Sequence, residues 1–213
     1  MTHFLLFSVI VALIGLIHFS DAFLVQNTDF KSQLQSQSYS VGLKKTQNKL
    51  MMKSDGMEIQ YKQIEVDTLK GISLHSLVPQ INELVAASGV QEGYVNVLSR
   101  HTTTAITINE MEQRLVDDVR QWLLTIAPPS HPYLHNDIHL RSGPENWPGG
   151  DEAWRDQEPV NAHSHLLAMM LGQSETIPIH EGKIMIGTWQ SIILVELDGP
   201  RKRTVGLQVV GKK

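Results

Sequence analysis

The chain has 213 residues, an apolar fraction of 41% and a formal net charge of −4, enough for one buried core with extensions, since single domains commonly run to about 100 to 200 residues. It has no cysteine, which excludes a disulfide framework, a cysteine nucleophile and any cysteine-ligated zinc or iron–sulfur centre. Residues 1–55 hold five Lys and three Asp, so 13 basic and 19 acidic residues remain beyond them, a net charge of −6; with no basic stripe, that part lacks the electrostatic footprint of a nucleic-acid binder.

Phe4 to Ile17 is almost continuously apolar but shorter than the roughly 20 residues that span a bilayer. Residues 1–22 therefore read as a signal-peptide-like segment, with Ser20, Asp21 and Ala22 at its cleavage end. Residues 23–55 are rich in Ser, Gln, Asn and Lys, with only Asp29 and Asp55 acidic, the composition of a transit-like disordered leader. The two together resemble the bipartite plastid presequences of algae with complex plastids. Plastid import is the expected destination, secretion the alternative, and no stable membrane span is expected after processing.

From residue 57 onward the pattern is that of a folded domain. Ile59, Tyr61, Ile64 and Val66 half-alternate as a first strand. Leu77, Val78, Ile81, Leu84 and Val85 recur at helical spacing, with Pro79 tolerable only in the first turn and Gly89 as the stop. Gly93 to Ser99 and Ala105 to Asn109 are β-rich. A second helix carries Leu115, Val119, Trp122, Leu123 and Ile126 on one face and ends before Pro128 and Pro129. Pro128 to Pro159 has no sustained periodicity, and loops of that length in compact domains are often functional. A third helix runs from Asn161 to Leu171 and stops at Gly172, followed by strands at Thr176–Ile179, Lys183–Leu197 and Arg203–Val210. The alternation predicts an α+β domain over 57–213, with a mixed or antiparallel sheet and about three helices.

Chemistry concentrates in the histidines, seven of the ten lying between His101 and His180. Metal binding by His requires neutral imidazoles converging from different elements. If Asn161 caps the third helix, His163 and His165 stand about 200° apart on it and only one can reach a shared ion; an extended segment would place both on one face. His131, His139 and His180 read as loop or surface residues. Thr102, Thr103 and Thr104 offer hydroxyls to a phosphate, or are an ordinary strand run. Glu110 follows Asn109 where a helix opens, a position suited to helix-dipole stabilisation or to a general base. Glu196 sits in an apolar strand and, if buried, needs a cationic or metal partner. Trp189, after Gly187, suits a pocket or subunit interface, with core packing the preferred reading. Arg201 and Arg203 flank a turn signalled by Asp198-Gly199-Pro200 and could clamp a phosphate, with Arg141, Arg155 and Lys183 as weaker candidates. No Gly-rich phosphate loop, G-x-S-x-G elbow or H-E-x-x-H motif is present.

Three blocks recur together: Ser99 to Ala105 around Arg100-His101, Asn161 to Leu166 around His163 and His165, and Gly187-Thr188-Trp189-Gln190 followed by Glu196. With Asn109-Glu110, Tyr133-Leu134-His135, Leu171-Gly172, Ile177-Pro178-Ile179 and the strand-rich end from Lys183 to Gly211, they resemble the YjbQ-like (UPF0047) family, also called the secondary thiamine-phosphate synthase family. The resemblance implies a single domain assembled as a homotrimer, acting on small phosphorylated substrates. It implies a thiamine-phosphate synthase that joins hydroxymethylpyrimidine diphosphate to thiazole phosphate with loss of diphosphate. His101, His135 and His165 match the family's recurring histidines and take metal or proton-transfer roles, with a divalent ion, zinc or magnesium, as cofactor. Glu110 orients, and Arg201 and Arg203 hold phosphate. A His-metal-dependent hydrolase of a small metabolite uses the same residues, as does a trimeric binding protein that holds an ion or ligand without turnover.

Overall fold

The computed structural model describes residues 56–213; the signal-like and transit-like assignments fall on residues 1–55, outside the described residues. Among the described residues there are eight strands: β1 (Met57–Asp67), β2 (Gly71–Ser76), β3 (Glu92–Ser99), β4 (Thr104–Asn109), β5 (Ser174–His180), β6 (Lys183–Ile184), β7 (Ser191–Gly199) and β8 (Lys202–Lys212). Four α-helices accompany them there: α1 (Val78–Ser88), α2 (Gln113–Ile126), α3 (Gly150–Arg155) and α4 (Ala162–Leu171). None of the described helices is long and apolar enough to cross a membrane.

The strands form two antiparallel sheets, one in the order β1-β8-β3-β5-β6 and one in the order β2-β7-β4. Alternation sorts the larger sheet into two faces. Ile64, Val95, Val97, Ile177, Ile179, Val205, Leu207 and Val209 point inward and meet Ile106, Ile192 and Leu194 of the smaller sheet, with Ile81, Leu84 and Val85 of α1 closing the end. The opposite face of the smaller sheet, through Ala105, Ile193, Val195 and Leu197, packs on Leu123 of α2 and Leu167 and Ala168 of α4. Being covered on both sides, β7 is buried without interruption from Ile192 to Leu197. That explains why its sequence is an apolar run rather than an alternation.

The α+β reading holds, with α3 added inside the long loop and β2 added before α1. The stretch expected as one strand from Lys183 to Leu197 is two, because the chain turns at Gly187–Gln190, where the Gly187 N–H donates to Gln190 Oε1. Trp189, expected in the core, stands on this turn with 74% of its surface exposed. Helix α2 begins at Gln113, and the Glu112 carboxylate caps it by accepting from the Arg114 and Leu115 N–H groups. The helix-opening position read onto Glu110 therefore belongs to Glu112. The stop at Gly89 is as expected, with φ of 70°.

One charge lies within this core. Glu196 has a fully buried side chain and meets Arg203, whose side chain is 5% exposed. Arg203 Nε donates to Glu196 Oε2 and Nη2 to Oε1, each at 2.6 Å. The Thr68 hydroxyl donates to Oε2 at 2.8 Å, and the Leu197 and Asp198 N–H groups donate to Oε1 at 3.0 and 2.7 Å. Gly199 makes this approach possible, because a Cβ there would lie 2.1 Å from the Leu69 carbonyl oxygen. Burial alone pushes the Glu196 carboxyl up, but Arg203, the Asp198 N–H and the Thr68 hydroxyl outweigh it and hold the group below the ordinary carboxylate value.

Removing one member of such a pair leaves a buried charge unmatched, at a cost of about 3–5 kcal/mol. Glu196→Ala is predicted to lower the urea midpoint accordingly, and Glu196→Leu with Arg203→Met to lose less than Glu196→Ala alone. The lowered carboxyl stabilises the fold above the unfolded-state value of about 4.3, and this contribution is lost as pH falls through the folded-state value. Urea midpoints followed from pH 7 into acid are thus predicted to fall more steeply in wild type than in Glu196→Gln.

Candidate functional site

Arg203 of the Glu196–Arg203 pair also lines an open cleft of about 300 Å³, together with Thr102, Thr103, His135, Arg141, Glu158, Pro159, Asn161, His165, Asp198 and Arg201. Its floor is the β7–β8 turn. Arg203 Nη2, besides binding Glu196, donates to Thr103 Oγ1 at 2.9 Å. Asp198 Oδ2 accepts from Arg201 Nη2 at 2.9 Å and from Asn161 Nδ2 at 2.8 Å. Asn161 stands where the sequence places a helix cap, but its side chain bonds Asp198 and caps nothing. The first N–H of α4, at Ala162, is satisfied from the long loop by Asn136 Oδ1 at 3.0 Å.

That exchange of partners brings the loop to the helix. His135, in a 3-10 turn spanning Leu134–Asn136, stands edge-on to His165 with ring centroids 4.8 Å apart and planes at 72°. Burial lowers the pKa of His165, as does the neighbouring His135, while Asp198 opposes them. His165 is therefore neutral near pH 7 and offers one N–H donor and one nitrogen lone pair. Arg141 pairs with Glu158 at 2.9 Å, both side chains a quarter exposed. Every arginine of the cleft thus stands beside a carboxylate.

His101 lies elsewhere. Its Nε2 accepts from the Thr204 N–H at 2.8 Å and stands 3.0 Å from Thr204 Oγ1. That bond occupies the lone pair, places the proton on Nδ1 and leaves no free nitrogen for a metal in the neutral form. Burial and the nearby Arg203 lower its pKa. His163 is off the cleft, with Nε2 3.2 Å from Ser164 Oγ. Glu110 lines a separate, mostly apolar pocket with Trp122, Leu123 and Val195. Among the described residues no three His, Asp or Glu side chains are gathered closely enough to hold an ion. Of the sequence candidates, then, His135, His165, Arg201 and Arg203 come together and His101 and Glu110 do not. Asn136, Glu158 and Asp198 join them, and only Asp198 had a local signal, as a turn former.

Because His135 contributes to holding His165 down, His135→Ala is predicted to raise the His165 pKa toward the ordinary 6.5, while burial keeps it below that value. Histidine side-chain NMR titration of the two proteins measures this; an unchanged value would mean that the two rings do not share the cleft.

The family model described as "UPF0047 protein YjbQ-like" matches residues 62–212. A UPF0047 protein from Methanothermobacter thermautotrophicus is 36% identical over 156 residues, covering 73% of this chain and 95% of that relative. The crystal structure of a YbjQ-like protein of unknown function from Sulfolobus solfataricus aligns with a TM-score of 0.61 at 31% identity, covering 73% of this chain and 99% of that one. A YjbQ/UPF0047-family protein from Clostridium acetobutylicum aligns with a TM-score of 0.58 at 28% identity, covering 70% of this chain and 98% of that one. By the profile, the relatives and the fold together, this chain belongs to the YjbQ-like UPF0047 family.

Proposed function

We propose that the His135–His165 cleft is the active site of a transferase acting on small phosphorylated metabolites, and that its reaction is thiamine phosphate formation, as the family resemblance implies. The observation that carries this reading is the convergence of two imidazoles with Arg141 and Arg201 along one open polar cleft. In the reaction a C–N bond forms between the thiazole nitrogen and the pyrimidine methylene, and the methylene C–O bond to diphosphate breaks. The leaving diphosphate carries away the bonding pair, so the site must hold developing negative charge.

Arg201 and Arg141 serve that need because their present partners are weakly held. Neither pair is sealed from water as Glu196–Arg203 is, so an arriving phosphate can replace Asp198 or Glu158. Arg203 cannot be released from Glu196 at comparable cost; it supports the wall through Thr103 instead. A neutral His165 donates an N–H to a phosphate oxygen and so stabilises the negative charge that gathers on the leaving diphosphate.

A divalent ion bound here would help to neutralise the departing diphosphate. Two imidazoles suit zinc better than magnesium, which prefers oxygen ligands. His135 and His165 would hold it as two ligands of a larger set. The same arrangement supports hydrolysis of a small metabolite, and the products distinguish the two readings.

The homotrimer implied by the resemblance has a physical counterpart in the outer face of the larger sheet. Strand register lines up Ile59, Val210, Tyr94 and Pro178 across it. Met185 continues the row by donating its N–H to the Pro178 carbonyl. Ile59 is 63% exposed and Tyr94 43%, a contiguous apolar band suited to another protein surface.

With hydroxymethylpyrimidine diphosphate and thiazole phosphate supplied, the protein is predicted to release thiamine phosphate and diphosphate. His165→Ala should lower kcat/KM by about 10²–10³-fold, the usual cost of removing one donor to developing negative charge, and Arg201→Ala should chiefly raise KM. No product from the folded wild-type protein would remove the transferase reading, and full activity in His165→Ala would place the chemistry elsewhere. Tyr94→Glu is predicted to shift the light-scattering mass from trimer to monomer; a trimer that survives it would not use this face.

A further inference from the structure

The long loop brings His135 to His165 but has little secondary structure of its own, so something must fix the ring. Two ties reach the 3-10 turn that carries it. One is the Asn136 bond to the start of α4. The other is Arg141, whose Nη1 donates to the His135 carbonyl at 3.2 Å. Arg141 is itself held on three further sides. Its guanidinium lies 5.0 Å from the centroid of the Trp154 ring, Nη2 meets Glu158 at 2.9 Å, and its carbonyl accepts from Arg155 Nε at 2.8 Å.

Trp154 is 8% exposed although it lies within the loop, so it acts as the core of a small folded unit. Gly143 passes against it so closely that a Cβ would lie 2.8 Å from the indole. Asp151 closes the unit by accepting from the Gly143 N–H at 3.0 Å and pairing with Arg155 at 3.2 Å. A guanidinium can stack on an indole while directing N–H groups in its own plane, which a lysine ammonium cannot reproduce.

We propose that Arg141, stacked on Trp154, is the positioning residue that sets the His135 ring edge-on to His165. The idea rests on the assignment of these two rings to the active site. It distinguishes Arg141 from a residue that only binds phosphate, because its effect is present before any ligand arrives. Charge alone does not supply it, since Glu158 already balances Arg141.

The test is made on the ligand-free full domain by NMR, reading the cross-relaxation between the His135 and His165 ring protons that a 4.8 Å centroid separation produces. The Ala162 amide shift reports independently whether the loop remains docked through Asn136. Arg141→Ala and Arg141→Lys are both expected to lose the ring-to-ring contact while the Ala162 amide stays in place, and Glu158→Gln to keep both signals. Retention of the contact in Arg141→Ala would overturn the proposal. So would rescue by Arg141→Lys, which would make the effect one of charge, or simultaneous loss of the Ala162 signal, which would make Arg141 a general support of the loop. Because no substrate is present, failure here leaves the transferase assay to stand or fall separately.

Discussion

The structure depends on a carboxylate placed where hydrophobicity would not put one. Glu196 lies in the strand buried on both faces, and its fully buried side chain is matched by Arg203 with help from Thr68 and two backbone N–H groups. These groups come from the β1–β2 connection, the end of β7 and β8, and Arg203 extends the set to Thr103 before β4. A desolvated ion pair contributes little net stability over an apolar pair of the same shape. What it does here is fix geometry, since a misplaced segment would leave one charge unpaired. Asp198, Arg201 and Thr103 take up their positions at the cleft as a direct result.

Above that fixed floor the site is built from replaceable contacts. Arg141 and Arg201 each rest on a part-exposed acid, so the empty cleft carries balanced charge despite its arginines. This reconciles an acidic domain with an anionic ligand. On the proposed reading the ligand need not be attracted by a large positive field, because it would exchange places with a side-chain carboxylate. Specificity in such a site comes from the spacing of the arginines and the imidazole pair rather than from net charge.

Much of the fold was legible because hydrophobic period and stop signals agreed. Gly89 and Gly172 ended their helices, and the apolar run around Glu196 marked a strand. The shortfalls have physical causes. Trp189 resembles a core residue by type, but the turn closed by Gln190 carries it outward. Asn161 has the chemistry of a helix cap, yet Asn136, distant in sequence, supplies the cap and releases it toward Asp198. Local spacing cannot reveal such an exchange of partners. His101 was grouped with His135 and His165 by motif, and only the three-dimensional path of β8 shows that Thr204 occupies its nitrogen. Glu196 announced the need for a partner, and Arg203 was visible nearby, but assigning that arginine to phosphate overlooked the stronger claim of the buried carboxylate.

On the proposed reading this cleft, and not the apolar pocket beside Glu110 and Trp122, receives the phosphorylated ligand. Inorganic diphosphate titrated into the isotopically labelled protein tests it without presuming a reaction. The His135 and His165 ring signals and the Arg201 and Arg141 side-chain signals are expected to move together and saturate, while the Arg203 Nε signal, held by Glu196, moves least. Saturable shifts centred on Glu110 and Trp122, or none at the paired histidines, would contradict it.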